Sequence, residues 1–378
     1  MYIPSFFPLV GGAERQAQSL SQALVRRGHQ VFVLTRRIRG TQTRSKVDGI
    51  SVFHVFARGP RITFPCAALR FLVEYKERYE IIHVHTLDSP AILACIAKRL
   101  LARPAVVKVR GTDKTKRYMR TWAGRRAWRF LRQNVDCFFA VNNAIKNELV
   151  QAGVDRKRIR VIPNGVDPSV FVPVSREDKV MLRARLGLPE EGIAIFTGRL
   201  IRGKGLRVLL EAWADVRAHL PGAHLLLAGS GPERAHLETL TASLGIQDDV
   251  SFLGECPHGQ IQEYLQASDV FVMPSRAEGI SNATLEAMAT GLAVAATRIS
   301  GITDLVTEGE NGLLFDVDDK AQLRDLLVQL LRDDDYRRQL GHAARETVEH
   351  TFSIDVVAAQ YETVYEALTR RSAREHRT

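Results

Sequence analysis

Short apolar runs recur along this chain, separated by polar, helix-periodic stretches. In the first half they are VFVLT (31–35), ISVFHVF (50–56), IIHVH (81–85), AVVKV (105–109), CFFAV (137–141) and IRVI (159–162). In the second half they are IAIFT (193–197), HLLLA (224–228), VSFLG (250–254), DVFVM (269–273), LAVAA (292–296) and GLLF (312–315). Helical segments such as 13–27 and 89–101 lie between most of them. Nearly continuous apolar strands alternating with helices predict an α/β fold with parallel sheets covered on both faces. Twelve strands exceed one ordinary doubly wound domain, and the pattern breaks at NGVDPSVFVP (164–173), where two prolines and a turn intervene. The expected architecture is two Rossmann-like doubly wound domains facing a cleft, residues 1–170 and 171–352, followed by a tail at 353–378. From Ser353 to about Arg371 the tail reads as one amphipathic helix, with Val356, Val357, Tyr361, Val364, Tyr365 and Leu368 on its apolar face. The first domain looks a strand short. Gly11 and Gly12 arrive after only the stub MYIPSFF, which predicts an exposed sheet edge and poor solubility, or a start upstream of Met1.

Composition narrows the class. The chain has 378 residues, 45% hydrophobic and 25% charged, with no low-complexity tract. No apolar run approaches the roughly 18 residues of a spanning helix. The first residues carry no positive n-region, which makes them a weak signal-peptide candidate. Cys66, Cys95, Cys137 and Cys256 are scattered without CxxC spacing, which suggests a reducing compartment and neither zinc nor disulfides. The net charge of +11 is unevenly divided: residues 1–172 carry 31 Lys+Arg and 11 Asp+Glu, the remainder 22 and 31. A basic first half points to an anionic partner: a membrane surface, nucleic acid or a phosphorylated ligand.

Several loops carry candidate chemistry. IAIFTGRLIRGKGLRVLLEAW (193–213) runs from a strand through Gly198, Gly203 and Gly205 into a helix. Residues 198–204 spell G-x-x-x-x-G-K, but Gly205 stands where a Walker A loop needs Ser or Thr. Arg199 and Lys204 remain, either as solvated cations or as a pair able to neutralise a diphosphate without a metal. LLLAGSGPER (225–234) puts Gly229 and Gly231 at a second strand end, where open α/β sheets bind ligands. Gly11 and Gly12 before a helix form a similar anion site. In EGISNATLE (278–286) two acids stand eight residues apart. On one helix they would lie about 80° apart and two turns away, poor geometry for a carboxylate pair. A loop that becomes a helix fits better, with Ser281 or Asn282 as N-cap, Glu278 before it and Glu286 on its second turn. Either its amides face a phosphate, or both acids are solvated. His83 and His85 share one strand face without an evident third ligand, so no metal is expected. The acidic run at 333–335 reads as solvated.

Together GGAER, IPNGVD, TGRLIRGKG, LLLAGSGPE, VSFLGE, DVFVMPSRAEGISNATLEAMATG and NGLLF resemble the glycosyltransferase family 4 (group 1) enzymes of the GT-B fold, in order and spacing over nearly the whole chain. The resemblance implies a retaining transferase that moves a sugar from a nucleotide-sugar donor to a glycan or lipid-linked acceptor, without cofactor or catalytic metal. It implies that Glu278 meets sugar hydroxyls and that Glu286 accepts from the ribose diol. The amides around Ile280, Ser281 and Thr284 would lie near the phosphates, and Arg199 and Lys204 would hold the diphosphate. Gly11, Gly12 and Gly229 complete the expected donor set. The catalytic set is Glu278, Arg199 and Lys204. The C-terminal helix is implied to cross back to the N-terminal domain. Two positions depart from the family: Arg110 replaces a common His after the fourth strand, and Asn142 a common Ser. On the acceptor side His85 and Arg110 are candidates.

One stretch lies outside these motifs. KTKRYMRTWAGRRAWRFLR (114–132) holds eight Lys/Arg, no acid and aromatics at 118, 122, 128 and 130. It reads as a solvated basic helix with its aromatics in the core, or as a face for anionic lipid, with RNA as a third reading. The expectation is a cytoplasmic enzyme, peripheral on the inner face of the membrane, with no nucleic-acid partner. A sugar-nucleotide epimerase of the same fold and a non-catalytic nucleotide-sugar binder are the alternatives.

Overall fold

The computed structural model describes residues 1–6, 11–37, 41–55, 63–111, 113–190 and 192–375. The chain divides into two compact units, Met1–Gly165 with Ile354–Thr378, and Val166–Ser353.

The first unit contains β1 (Phe32–Arg36), β2 (Arg44–Val47), β3 (Ile50–Val55), β4 (Ile82–Val84), β5 (Ala105–Val109), β6 (Cys137–Ala140) and β7 (Ile159–Val161). β1 pairs with β3 and β4–β7 pair in sequence order, all parallel. Residues 1–3 join these two groups. Tyr2 bridges both Leu34 and Val84. Its amide donates to the His83 carbonyl at 2.7 Å, and Leu34 donates to the Met1 carbonyl at 2.8 Å. The stub thus lies where the opening strand of a doubly wound sheet belongs, and Tyr2 and Ile3 are each 1% exposed. A cavity of about 600 Å³ adjoins it at the amino-terminal strand ends, lined in part by Phe71, Tyr75 and Ile81.

The sequence reading omits β2. It is an edge strand of four residues, RSKV, antiparallel to β3. Its polar alternation hides it, but Asp48 and Gly49 both take positive φ, 47° and 84°, the backbone of a tight hairpin turn. The Asp-Gly dipeptide was the available signal.

Helix Ile354–Glu375 belongs to this unit. Val357, Ala358 and Tyr361 bury against Leu20, Leu24 and Phe139, with Val364, Tyr365 and Leu368 at the margin. Arg26 and Arg27 reach its Asp355 and Glu362 at 3.0 and 2.5 Å.

The second unit is one parallel sheet of β8 (Ile193–Thr197), β9 (His224–Ala228), β10 (Val250–Gly254), β11 (Val270–Met273), β12 (Ala293–Thr297) and β13 (Leu313–Phe315). The spatial order is β10-β9-β8-β11-β12-β13. Chain order therefore reverses between β8 and β11, the switch point at which open α/β sheets bind ligands. Every residue of β8, β11, β12 and β13 is buried, as apolar strands covered on both faces require. Helix Leu206–His219 covers the sheet with Leu209, Leu210, Ala212, Trp213 and Val216. A buried ion pair adds to this packing: Arg183 Nη2 meets Asp269 Oδ1 at 2.7 Å, and the Ile193 amide donates to Oδ2 at 2.9 Å.

Candidate active site

In the second unit, the loops after β8 and β11 leave neighbouring strands at the switch point. Gly205 holds φ at +67°, and a Cβ there would lie 1.9 Å from the Pro274 carbonyl oxygen. Only glycine permits that approach. The Arg276 amide then donates to the Gly203 carbonyl at 2.9 Å. Lys204 Nζ donates to Glu278 Oε1 at 2.5 Å, and Ser275 Oγ donates to the same oxygen at 2.7 Å. These side chains are only 19% and 13% exposed, so water screens the pair poorly. A third loop joins them after β9. A Cβ on Gly229 would lie 1.8 Å from the Gly198 carbonyl. Gly198 donates to Ala228, and Leu200 to Ser230, each at 2.9 Å.

The helix after Glu278 is Asn282–Ala289, and its N-cap is Ser281. Ser281 Oγ accepts from the Thr284 amide at 3.2 Å, so that amide is already engaged. Ile280 and Ser281 are buried, and Thr284 has a buried hydroxyl with no partner among the described residues. Glu286 stands partly exposed on the second turn. Arg199 is exposed and forms no ion pair among the described residues. The structure therefore brings Lys204 and Glu278 together and leaves Arg199 outside that contact.

In the first unit, Gly11 caps helix Gly12–Arg26, and its amide donates to Glu14 Oε2 at 3.1 Å. The helix start expected to take an anion is thus partly occupied by its own carboxylate. Arg110 follows β5 and is partly buried. Burial lowers its pKa, while the charges of Glu14 and Asp88 act in the opposite direction. A cation with two carboxylates nearby suits a ligand bearing both hydroxyls and an anionic group. His83 and His85 stack with ring centroids 4.2 Å apart. His83 Nδ1 lies 2.6 Å from the Tyr365 hydroxyl, and His85 Nε2 lies 3.2 Å from Met1 Sδ. Burial holds both imidazoles well below the usual histidine range, and Lys108 adds to the effect. Lys108 is itself 1% exposed, its pKa pushed down to about 7 by burial and by Arg110.

Two family models divide the chain between them. Glycosyltransferase Family 4 matches residues 10–170, and glycosyl transferases group 1 matches residues 179–347. A lipopolysaccharide core biosynthesis glycosyltransferase, LpsE of Rhizobium meliloti, is 30% identical over 353 residues, 93% of this chain and 94% of that protein. The chain belongs to the group 1 glycosyltransferases. N-acetyl-alpha-D-glucosaminyl L-malate synthase of Bacillus anthracis is 29% identical over 368 residues, 95% of the chain and 94% of the relative. The Anabaena Alr3699/HepE structure in complex with UDP-glucose superposes with a TM-score of 0.80 at 21% identity, covering 97% of this chain and 99% of that one. The architecture is the GT-B fold, two Rossmann-like domains.

For this glycosyltransferase, sequence reasoning missed three site features. Ser275 supports Glu278, and its only signal is a hydroxyl two residues past a strand end. Lys108 sits within an apolar run, AVVKV, where a single lysine in a covered strand was the clue. The charges of Glu14 and Asp88 act on Arg110 although all three are far apart in sequence, and no local pattern reveals this. The acidic run at 333–335 has a structural role: Asp333 caps helix Asp334–Thr347, while Asp334 and Asp335 pair with Arg337 and Arg338.

Proposed function

We propose that this glycosyltransferase moves a sugar from a nucleotide-sugar donor to a glycan or lipid-linked acceptor with retention of anomeric configuration. The observation that carries the reading is the Lys204–Glu278 contact at 2.5 Å, set between three glycine loops at the β8/β11 switch point. A cation and a carboxylate side by side suit a diphosphate joined to a polyol: Lys204 takes the phosphates and Glu278 accepts from sugar hydroxyls. Arg199, on the same loop, adds a second charge to the leaving group, and Glu286 accepts from the ribose. Gly229, Ile280, Ser281 and Thr284 line the donor. The HepE structure with UDP-glucose, similar over 97% of this chain, supports a donor of this class.

In the proposed step the bond from the anomeric carbon to phosphate oxygen breaks and a bond to the acceptor oxygen forms on the same face. The acceptor's proton passes to the leaving phosphate oxygen. Lys204 and Arg199 stabilise the charge that builds there. Arg110 stays charged at neutral pH, so it orients an acceptor and does not act as a base.

The test is a thermal-shift screen of nucleotide sugars, followed by product analysis by NMR. A stabilising donor and an axial-to-axial or equatorial-to-equatorial product support the proposal. A product of inverted configuration, or no donor that stabilises the protein, would sink it.

A further inference from the structure

The basic stretch 114–132 is sorted by the fold into an inner and an outer face. Helices Lys114–Met119 and Trp122–Asn134 pack closely at their junction, where a Cβ on Gly124 would lie 2.2 Å from the Tyr118 carbonyl. Trp128 turns inward, 2% exposed, and its indole donates to the Ala152 carbonyl at 2.9 Å. Tyr118 and Phe130 are half-buried. Trp122 is not: it is 65% exposed, and Met119 beside it is 39% exposed. Arg120, Arg125, Arg126 and Arg129 are exposed around them and form no ion pair among the described residues. The Arg126 guanidinium lies 4.8 Å from the Trp122 ring centre.

We infer that this helical pair is a docking surface for an anionic lipid bilayer. A large exposed indole is unfavourable in water. Among arginines that form no ion pair in the described residues, although Arg125 also donates to the Met119 carbonyl at 3.1 Å, it matches the headgroup boundary. There the ring enters the interface and the guanidinium groups meet lipid phosphates. Charge complementarity selects the occupant, because no acid interrupts the stretch. A single-stranded nucleic acid would need a row of exposed rings for its bases to stack upon. Here three of the four aromatics are turned partly or wholly inward. None of this depends on the donor reading, and no described helix is long and apolar enough to cross a membrane. The surface would bring the enzyme to acceptors held in a bilayer.

The experiment uses the full chain and its own fluorescence. Of three tryptophans, Trp128 and Trp213 are 2% and 0% exposed, so Trp122 reports the surface. Phosphatidylglycerol vesicles should sediment the protein and shift its emission to the blue, while phosphatidylcholine vesicles should do neither. Raising salt should reverse binding, since the Debye length falls from about 10 Å at 0.1 M to about 3 Å at 1 M. Each neutralised arginine should weaken partitioning about fivefold, and Arg125→Glu/Arg126→Glu/Arg129→Glu together at least about a hundredfold. Trp122→Ala should abolish the blue shift and weaken binding severalfold. Nucleoside-diphosphate binding, measured on each variant, should be unchanged. Retained donor binding shows that the variants are folded and separates failure of this proposal from failure of the donor assignment. Equal recovery with both vesicle types, no recovery with either, full binding by the charge-reversed variant, or preferential capture by single-stranded RNA would overturn the inference.

Discussion

At the scale of single residues, the contact between Lys204 and Glu278 makes two opposed predictions. Lys204→Ala removes a charge-assisted bond of about 1.5–3 kcal/mol, so nucleoside-diphosphate affinity should fall about ten- to a hundredfold by calorimetry. Glu278→Gln removes the lysine's resident partner and one negative charge. Diphosphate affinity should then hold or rise, while the transfer rate falls because sugar hydroxyls lose an acceptor. Parallel losses in both variants would mean that the pair is only structural. Gly205→Ala tests the loop itself. The left-handed backbone and the 1.9 Å approach to Pro274 leave no room for a methyl group. The expected cost is at least about 1–3 kcal/mol in urea denaturation, with loss of donor binding. The glycine, the lysine and a helix cap at Ser281 or Asn282, of which the fold takes Ser281, were legible in the sequence, because each belongs to a pattern only a few residues long. The meeting of Lys204 with Glu278, 74 residues later, was not.

At the scale of elements, each of the twelve apolar runs holds a strand among the described residues, with Phe56 of the run 50–56 lying outside them, and β2, which no run indicates, is short, polar and at an edge. Burial on both faces imposes an apolar signature on a strand, and an edge strand need not carry it. What fastens an element to its neighbours is harder to read. Arg183, in helix Arg176–Leu186, is 5% exposed and meets Asp269 at the head of β11, with Lys179 3.5 Å from the same carboxylate oxygen. Burial alone would raise the pKa of Asp269. Lys179, Arg183 and the Ile193 amide outweigh it and hold the pKa below its usual value. The stability this group supplies is therefore present above the ordinary carboxylate range and is lost as pH falls through the lowered value. Asp269→Asn should cost about 3–5 kcal/mol at neutral pH, because it strands a buried guanidinium. A denaturation midpoint unchanged from wild type would show that the pair is solvated after all.

At the scale of the whole molecule, burying basic groups in the first unit sets a pH dependence. His83, His85 and Lys108 all have folded pKa values below their ordinary ones. In each titration window the unfolded chain binds more protons than the folded one, so stability rises with pH. For Lys108 the window runs from about 7, its folded value, to its ordinary value of 10.5. For the histidines it lies below 6.5, where the unfolded rings gain charge and the buried rings resist it. Urea midpoints should climb between pH 5 and 6.5 and again above pH 7. Lys108→Met should flatten only the upper rise and stabilise the protein at pH 7 by a few kcal/mol, on the order expected for removing a strongly shifted buried charge. A variant that keeps the full upper rise would assign it to other groups.

The sequence by itself determined the element types, the α/β class and the resemblance to group 1 glycosyltransferases. Periodicity, caps and glycine turns are written within windows shorter than one helix. Tertiary structure alone decided which distant side chains meet. The strand order β10-β9-β8-β11-β12-β13 places the loop carrying Lys204 beside the one carrying Glu278, skipping the strands between them in sequence. It also decided that residues 1–3, too few to register as a strand, lie between β1 and β4. In the same way packing chose Trp122, among four aromatics in one basic stretch, to remain in solvent. Composition counts such residues but cannot say which side of a helix the core will take. That choice belongs to the neighbours against which the helix packs, and those neighbours are remote in the chain.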